Sequence, residues 1–370
     1  MISILITGSH GFIGKNLVAR LKAMNEFSIL EFNRGDSDEL LIDHLKKADH
    51  IIHLAGENRP RDVSDFIKVN VGLTKKICDL LIQFNKSIHW IFASSTHALA
   101  KNDYGQSKLA AENLIKAFIE KTNSQATIYR LPGVFGKWSK PNYNSVVATF
   151  CHNIALDLPI QINDPSFNLT LVYIDDVVSD FIFSLKEPNL DKLQYKEVSP
   201  NYQISIQLLA KSIESFKQKR QALSIDQVGT GLQHALYSTF ISFLPKEQFS
   251  YFIPLHQDQR GKFGEILKTI DSGQFSFLTA PPGVIRGGHY HDTKIEKFLI
   301  LKGLARFCFR NIMTAEEYEI IVSADKPQIV ETIPGWAHNI TNIGTDEMIL
   351  VLWANEIFNP ALPDTFEHNL

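Results

Sequence analysis

Short apolar runs alternate with longer amphipathic stretches through the first part of the chain. Ile2 to Ile6, Ser28 to Phe32, His50 to Leu54, Ile88 to Ser94 and Thr127 to Leu131 have strand character, and the segments between them are long enough for helices, the first over Phe12 to Lys22. This rhythm predicts βαβ units and a parallel, doubly wound α/β sheet of Rossmann type. Past Gly136 the pattern loosens. It predicts a helix over Asn144 to Ala155, a strand over Leu169 to Tyr173, and an amphipathic helix over Ile204 to Arg220 whose KQKR ending reads as a solvated face.

From about Phe249 the texture changes. FSYFIPL, QFSFLTAPPG, KFLILKGLARFCF and EMILVLWANEIF are β-rich, separated by Gly, Pro, Asp and Asn, with no long helical pattern between them. An all-β antiparallel sandwich or barrel is expected there. The segment LPKEQF, Leu244 to Phe249, interrupts the pattern, so the expected division is an α/β part over residues 1–245 and an all-β part over 246–370.

Composition changes this picture little but narrows it. A chain of 370 residues exceeds the size at which one core usually stops growing, about 250–300 residues, which agrees with two domains. With 37 Lys+Arg against 40 Asp+Glu the formal charge is −3, which argues against a general nucleic-acid binder. Apolar runs such as Ile51 to Ala55 and Ile349 to Ala354 fall far short of the roughly 18–20 residues that span a bilayer, so no membrane partner is expected. MISILITGSHGF has no basic segment before its short apolar run and reads as a strand rather than a signal peptide. Cys78, Cys151 and Cys308 are odd in number and widely spaced, so a disulfide framework is not expected and a reducing, cytoplasmic setting is.

Two constellations carry chemistry. In the first, Gly8, Gly11 and Gly14 form GxxGxxG between the first strand and the first helix. There a turn needs positive φ and close backbone approach, and the helix N-terminus presents free amides to a pyrophosphate. Further on, Tyr104 and Lys108 stand in YxxxK spacing, one helical turn apart on one face. A lysine ammonium beside a phenol favours phenolate, which lets the tyrosine exchange a proton with a carbonyl or alcohol. The hydroxyls of Ser94, Ser95 and Thr96, after the strand Ile88 to Ser94, would supply a second hydrogen bond to a substrate oxygen.

These features, in this order, resemble the extended short-chain dehydrogenase/reductase family over roughly residues 1 to 245. Further matches are HLAG (His53 to Gly56), NVG (Asn70 to Gly72), RLPGVFG (Arg130 to Gly136) and VYIDDV (Val172 to Val177). The resemblance implies an NAD(P) cofactor and a nucleotide-sugar substrate, with Tyr104 and Lys108 as the proton-transfer pair and Ser95 as the assisting hydroxyl, Ser94 and Thr96 being its alternatives. It also implies cofactor contacts from Gly8, Gly11, Phe12, Ile13, Gly14, Asn33, Arg34, Asp43, Leu54, Ala55 and Lys108. Arg34 stands where NAD-preferring relatives carry an acid for the ribose 2′-hydroxyl, which points to NADPH. Asp43 lies where relatives often bond adenine. Gly133 replaces the Asn of many relatives, and HALA follows the serine cluster where VYG is usual.

The second constellation is GVIRGGHYHDTKIEKFLILKG, with Gly283, His289, His291, Glu296 and Gly303, followed by PGWAHNITN with His338. Strand alternation puts His289 and His291 on one face, to which Glu296 and His338 can return from neighbouring strands. Three imidazoles and a carboxylate suit a divalent metal, zinc first among Zn, Fe, Mn and Ni. The paired blocks resemble the motifs of the cupin (jelly-roll) barrel over about residues 250 to 370. HQDQRGKFGE, with Asp258, Arg260, Gly261, Phe263 and Glu265, resembles the cupin-class epimerases that act on nucleotide-linked 4-keto sugars. That likeness implies His289 as base, with Tyr290, His291 and Lys297 as alternatives if a metal occupies His289.

A reductase joined to an epimerase-like cupin resembles a family of bifunctional enzymes of capsule and O-antigen synthesis. It implies NADPH-dependent reduction at C4 of a UDP-linked 4-keto-6-deoxy amino sugar, UDP-2-acetamido-2,6-dideoxy-L-arabino-hex-4-ulose, to the L-talose sugar on the route to UDP-N-acetyl-L-fucosamine. C3 epimerisation by the cupin and a homodimer or larger assembly are implied with it. Two other readings compete: a reductase whose cupin is only structural or dimerising, and a non-catalytic nucleotide-sugar sensor.

Overall fold

The strand and helix rhythm of the first part is realised as a six-stranded, wholly parallel sheet in the order Phe27–Phe32, Ile2–Thr7, His50–His53, His89–Ser95, Gln125–Leu131, Leu193–Lys196. The computed structural model describes residues 1–370 except 61, 188–190, 254–255, 259–260, 264–266, 270–272 and 357–360. Leu5, Ile51, Trp90, Phe92 and Ile128 from the strands are buried against Leu41, Leu45, Ile77, Leu81, Ile115 and Phe118 from the helices on one face. The chain passes from the first strand to one neighbour and then returns to the other, so a switch point lies between Ile2–Thr7 and His50–His53. Crevices outside the carboxyl ends of strands at such points are where α/β sheets bind ligands.

Capping serines set several helix starts. Ser37, Ser145 and Ser205 each accept a hydrogen bond from the amide three residues on, so the later two helices, Val146–Ala155 and Ile206–Gln221, each start two residues later than predicted. Among the described residues no helix is long and apolar enough to cross a membrane.

The β-rich part forms two five-stranded antiparallel sheets. One has the order Ser250–Phe252, Gln328–Glu331, Glu296–Lys302, Met348–Ala354, Gln274–Ala280. The other has the order Glu317–Ser323, Leu304–Asn311, Trp336–Asn342, Ile285–Tyr290, Phe366–Glu367. Phe298, Phe307, Phe309, Ile340, Leu350 and Trp353 are buried among them. His256–Asp258 pairs with Gly261–Phe263, while Arg260 and Glu265 of the HQDQRGKFGE segment lie outside the described residues.

Packing groups the chain into two compact units, Met1–Lys140 with Leu169–Gln203, and Pro141–Asn168 with Ile204–Leu370. Within the second unit, helices Val146–Ala155, Ile206–Gln221 and Gly231–Ser242 accompany the β-sheets. Leu223, which follows one of these helices, shares a small core with Ile253, Leu299 and Ile329. The KQKR face is not uniformly solvated. Leu209, Ile213 and Phe216 mark the inner stripe of the helix, and Arg220 continues it at helical spacing. Its guanidinium bonds Glu331, which is 0% exposed, while Lys217 and Lys219 pair outward with Asp157 and Asp226.

Candidate active and metal sites

In the first unit, Gly8 follows the strand Ile2–Thr7 with φ +73°, and a Cβ there would lie 2.8 Å from the Ala55 backbone. A Cβ on Gly14 would lie 2.3 Å from the Gly8 carbonyl oxygen. Only glycine at both positions lets the turn close against the third strand and the helix start directly beneath it. Gly11 caps the helix Phe12–Met24 without a side-chain hydrogen bond, and the first turn carries no acid. The amides around Phe12 and Ile13 and the positive helix end are therefore available to an anion. The residues fit the pyrophosphate of a dinucleotide.

The walls of this turn are fixed by polar contacts. The Asn33 side chain bonds Ser9 Oγ at 2.8 Å and accepts the His10 amide at 2.9 Å, tying the end of the second strand to the glycine turn. The Leu54 amide donates to the Thr7 carbonyl at 3.1 Å and the Ala55 amide to Thr7 Oγ1 at 3.2 Å. His53 is 0% exposed and bridges Thr7 and Thr74 with its two ring nitrogens at 2.6 and 2.9 Å. Burial, with Lys108 nearby, pushes its pKa down to about 3, so it is a neutral structural strut.

Arg34 is exposed and paired with Glu57 at 3.0 Å. Asp43 sits in mid-helix, exposed, in an i,i+4 pair with Lys47 at 2.7 Å. The acid tied to the end of the second strand is Asp36, whose carboxylate accepts the Asn33 amide at 2.7 Å.

Strand alternation resolves the serine cluster. Ser94 is buried and donates to Glu112, which Arg130 holds in a two-pronged ion pair at 3.1 and 2.6 Å. Ser95 faces the other way, accepting the His97 amide at 3.1 Å and lying close enough to the Tyr104 phenol to lower its pKa. Thr96 is exposed at the start of the following turn. Gly105 makes the approach of Tyr104 possible, since a Cβ there would lie 2.0 Å from the His97 carbonyl oxygen. Asn102 caps the helix Asp103–Lys121 through the Gly105 amide at 2.8 Å. Neither role was visible in the YxxxK spacing.

Lys108 is 6% exposed and donates to the Ala93 carbonyl at 2.8 Å, and a Cβ on Gly56 would lie 3.4 Å from its Nζ. Burial pushes its pKa down to about 8. The expected pull of Lys108 on the Tyr104 phenol is not what this geometry gives. Burial raises the Tyr104 pKa, the nearby Ser95 hydroxyl offsets that in part, and the phenol stays protonated at neutral pH. Asn70, from NVG, accepts the Glu57 amide at 2.7 Å and donates to Ser107 Oγ at 2.9 Å, joining the HLAG loop to the Tyr104 helix.

In the second unit, His289, His291, Glu296 and His338 converge, with one ligand atom from each lying within 4.8 Å of the others. His289 and His338 are cross-strand partners, and Glu296 opens the strand of the facing sheet. Glu296 Oε2 lies 3.3 Å from His291 Nε2 and 3.6 Å from His338 Nε2. Burial alone would raise the Glu296 pKa, but bonds to these two histidines hold it well below the usual range. Burial, with His338 and His291 adjacent, pushes the His289 pKa down to about 3. Burial likewise lowers the His338 pKa, and low imidazole pKa values with an ionised carboxylate favour ligation, so the donor set fits a divalent metal. A cavity of about 160 Å³ opens over it, lined by Leu278, Arg286, His289, Phe298, Ile340 and Leu352 among others.

Two alternative base candidates point elsewhere. Tyr290 packs on Phe366 with ring centroids 5.2 Å apart. Lys297, one residue past Glu296, faces the other side and pairs with Glu331, with the Tyr251 hydroxyl at 3.1 Å. His291 lies within the ligand set itself.

Comparison with known proteins gives two family matches. Residues 4–196 match the NAD dependent epimerase/dehydratase family, and residues 256–366 match the polysaccharide biosynthesis C-terminal domain. A UDP-2-acetamido-2,6-beta-L-arabino-hexul-4-ose reductase of Pseudomonas aeruginosa is 49% identical over 99% of this chain and 98% of its own. The crystal structure of the capsular polysaccharide assembling protein CapF from Staphylococcus aureus superposes with a TM-score of 0.66 at 37% identity, covering 100% of both chains. The UDP-glucuronic acid 4-epimerase of Bacillus cereus in complex with NAD shares the fold at a TM-score of 0.54 and 19% identity, over 59% of this chain and 83% of that one.

Proposed function

We propose that this chain, which belongs to the NAD dependent epimerase/dehydratase family and carries a polysaccharide biosynthesis C-terminal domain, is a UDP-4-keto-sugar reductase. The substrate we assign is UDP-2-acetamido-2,6-dideoxy-L-arabino-hex-4-ulose, reduced at C4 to the L-talose sugar for a capsular polysaccharide or O-antigen. The observation that carries the reading is the convergence of Ser95, at the end of the strand His89–Ser95, with Tyr104 and Lys108 on the helix that follows, at the carboxyl end of the sheet that also carries the glycine turn. The name of the Pseudomonas relative supplies the substrate class.

A bound nicotinamide would supply the hydride to C4. Tyr104 donates its phenolic proton to the oxygen at C4, and its raised pKa keeps that proton in place beforehand. Ser95 holds the same oxygen and orients the phenol, while the Lys108 ammonium holds a ribose hydroxyl and restores the phenol's proton. NADPH is the form we assign. The exposed Arg34 guanidinium is held by an ion pair with Glu57 at 3.0 Å, and exchanging that partner would let it meet a 2′-phosphate.

We assign C3 epimerisation to the β-rich part. The hydrogen at C3 is acidic because it stands beside the ketone. His289, His291, Glu296 and His338 would hold a divalent ion, zinc by their chemistry, which would supply Lewis-acid polarisation of a ketone. His289 is half-buried at the cavity beside Arg286, which supports it as the residue that meets the substrate.

The 4-keto substrate incubated in deuterated water, with and without NADPH, tests both halves. Deuterium should enter C3 without NADPH, and NADPH should be consumed as C4 is reduced. Tyr104→Phe should stop NADPH consumption and leave C3 exchange intact; full turnover by that variant removes the reductase mechanism. His338→Ala should lose metal and C3 exchange while still reducing a supplied epimer. Unchanged exchange would remove the metal-assisted account, and C3 exchange by a chain ending near Leu244 would make the cupin a structural module.

A further inference from the structure

We propose that Asp364, in the C-terminal tail, is a positioning residue for the metal centre, acting through His291. The inference rests on the metal reading above and deepens it. The carboxylate of Asp364 accepts the backbone amides of Asp292, Thr293 and Lys294 at 2.9, 2.7 and 2.7 Å, and the Thr293 hydroxyl at 2.9 Å. Those three residues are the turn between His291 and Glu296. One carboxylate therefore fixes the segment that spaces two of the four ligands.

The main chain of the same residue reaches a ligand directly. The Asp364 carbonyl lies 2.5 Å from His291 Nδ1. A ring nitrogen facing a carbonyl must carry the proton, which leaves Nε2, 3.3 Å from Glu296 Oε2, as the nitrogen that would offer its lone pair to a metal held between them. The neighbouring tail residue adds a second brace. Thr365 Oγ1 accepts from Lys294 Nζ at 3.2 Å, and that ammonium stands 3.6 Å from Glu296 Oε1, opposite the oxygen that faces the histidines. The tail then pairs with the ligand strand itself, Phe366 with Tyr290 and Glu367 with His289.

Four convergent donors explain why an aspartate stands at this point. An ionised carboxylate offers about four lone-pair positions, an amide oxygen two, and a methyl none. Without the carboxylate the turn amides lose their acceptor, and the carbonyl that selects the His291 tautomer is no longer held.

The test uses the full-length protein with Zn²⁺ affinity from chelator competition and the visible spectrum of the Co²⁺-loaded form. Asp364→Ala should bind Zn²⁺ about 10–100-fold more weakly, as loss of an outer-shell partner does, with an altered Co²⁺ spectrum. Asp364→Asn should recover part of the affinity through its one acceptor oxygen. Asn311→Ala removes a turn acceptor for the Met313 and Thr314 amides in the same barrel and should lower Tm without changing Zn²⁺ affinity. Tight binding by the unaltered protein and binding within twofold by Asp364→Ala, with the same Co²⁺ spectrum, would overturn the role of Asp364 and leave the metal reading standing. Should Asp364→Ala fail to fold, the same result from Asp364→Asn overturns it. No metal uptake by the unaltered protein would overturn both.

Discussion

Replacing Ser95 and Ser94 by alanine, one at a time, separates a chemical hydroxyl from a structural one in adjacent residues. Ser95 lies beside the Tyr104 phenol, and in the proposed reduction it holds the oxygen that gains negative charge. Removing one such donor costs about 2.7–4 kcal/mol of transition-state stabilisation, so Ser95→Ala should lower kcat about 10²–10³-fold. Its effect on stability is the loss of a neutral contact to the His97 amide, about 1 kcal/mol. Ser94 instead donates to the fully buried Glu112 carboxylate. A hydrogen bond to a charged group is worth about 1.5–3 kcal/mol, and at roughly 2–4 °C per kcal/mol Ser94→Ala should lower Tm by about 3–12 °C with kcat nearly unchanged. The pH profile gives a second readout. Reduction needs the protonated phenol, and the Ser95 hydroxyl lowers the Tyr104 pKa, so Ser95→Ala should move the alkaline limb of kcat to higher pH. Equal losses of kcat in the two variants, or the larger loss in Ser94→Ala, would refute the assignment of faces.

Three other outcomes follow from the same geometry. Buried Lys108 releases its proton near pH 8 whereas the unfolded lysine keeps it to about 10.5, so the unfolded state binds more protons in that window. Stability of the unliganded protein should rise as pH passes from about 8 toward 10.5, and Lys108→Met should flatten that rise in thermal melts while abolishing reduction. Arg34→Ala should raise KM for NADPH about 10–100-fold, the worth of a charge-assisted phosphate contact, and leave KM for NADH unchanged; parallel rises for both cofactors would remove the 2′-phosphate role. Glu331→Leu leaves the buried cations Arg220 and Lys297 without their shared carboxylate and should cost about 3–5 kcal/mol in urea unfolding, whereas a loss below about 1 kcal/mol would show the cluster is hydrated.

The parallel sheet was legible because each strand is a short apolar run between longer amphipathic stretches, a pattern set by local spacing alone. The β-rich part was legible as a class for the same reason. The position of Arg220 was not. KQKR reads as a charged helix end, and only the partner Glu331, 111 residues away, makes the inner-stripe position of Arg220 tolerable. Long-range charge pairing leaves no trace in local pattern, so it overrides the expectation that a basic cluster is solvated. Asp43 shows the limit from the other side: its place in the helix Asp38–Lys47 and its pairing with Lys47 at 2.7 Å follow from helix periodicity, which spacing from the glycine turn does not give.

Both ambiguities at the sites come down to the two-residue period of a strand. Ser94 and Ser95, Glu296 and Lys297, and His289 and Tyr290 are each adjacent pairs in which one member faces the site and the other faces away. The sequence contains the alternation but not its phase, because phase is set by which face the neighbouring strands and helices cover. For His289 and His291 the phase was recoverable, since two ligands two residues apart must share a face. For a single serine or glutamate no second residue in the strand fixes it. Beyond Ser95 the Tyr104 helix closes on the turn that follows the strand only because Gly105 has no Cβ to meet the His97 carbonyl. The same logic places Asp364 beyond the reach of motif reading, since its partners are backbone amides of residues 292–294, and amides have no sequence.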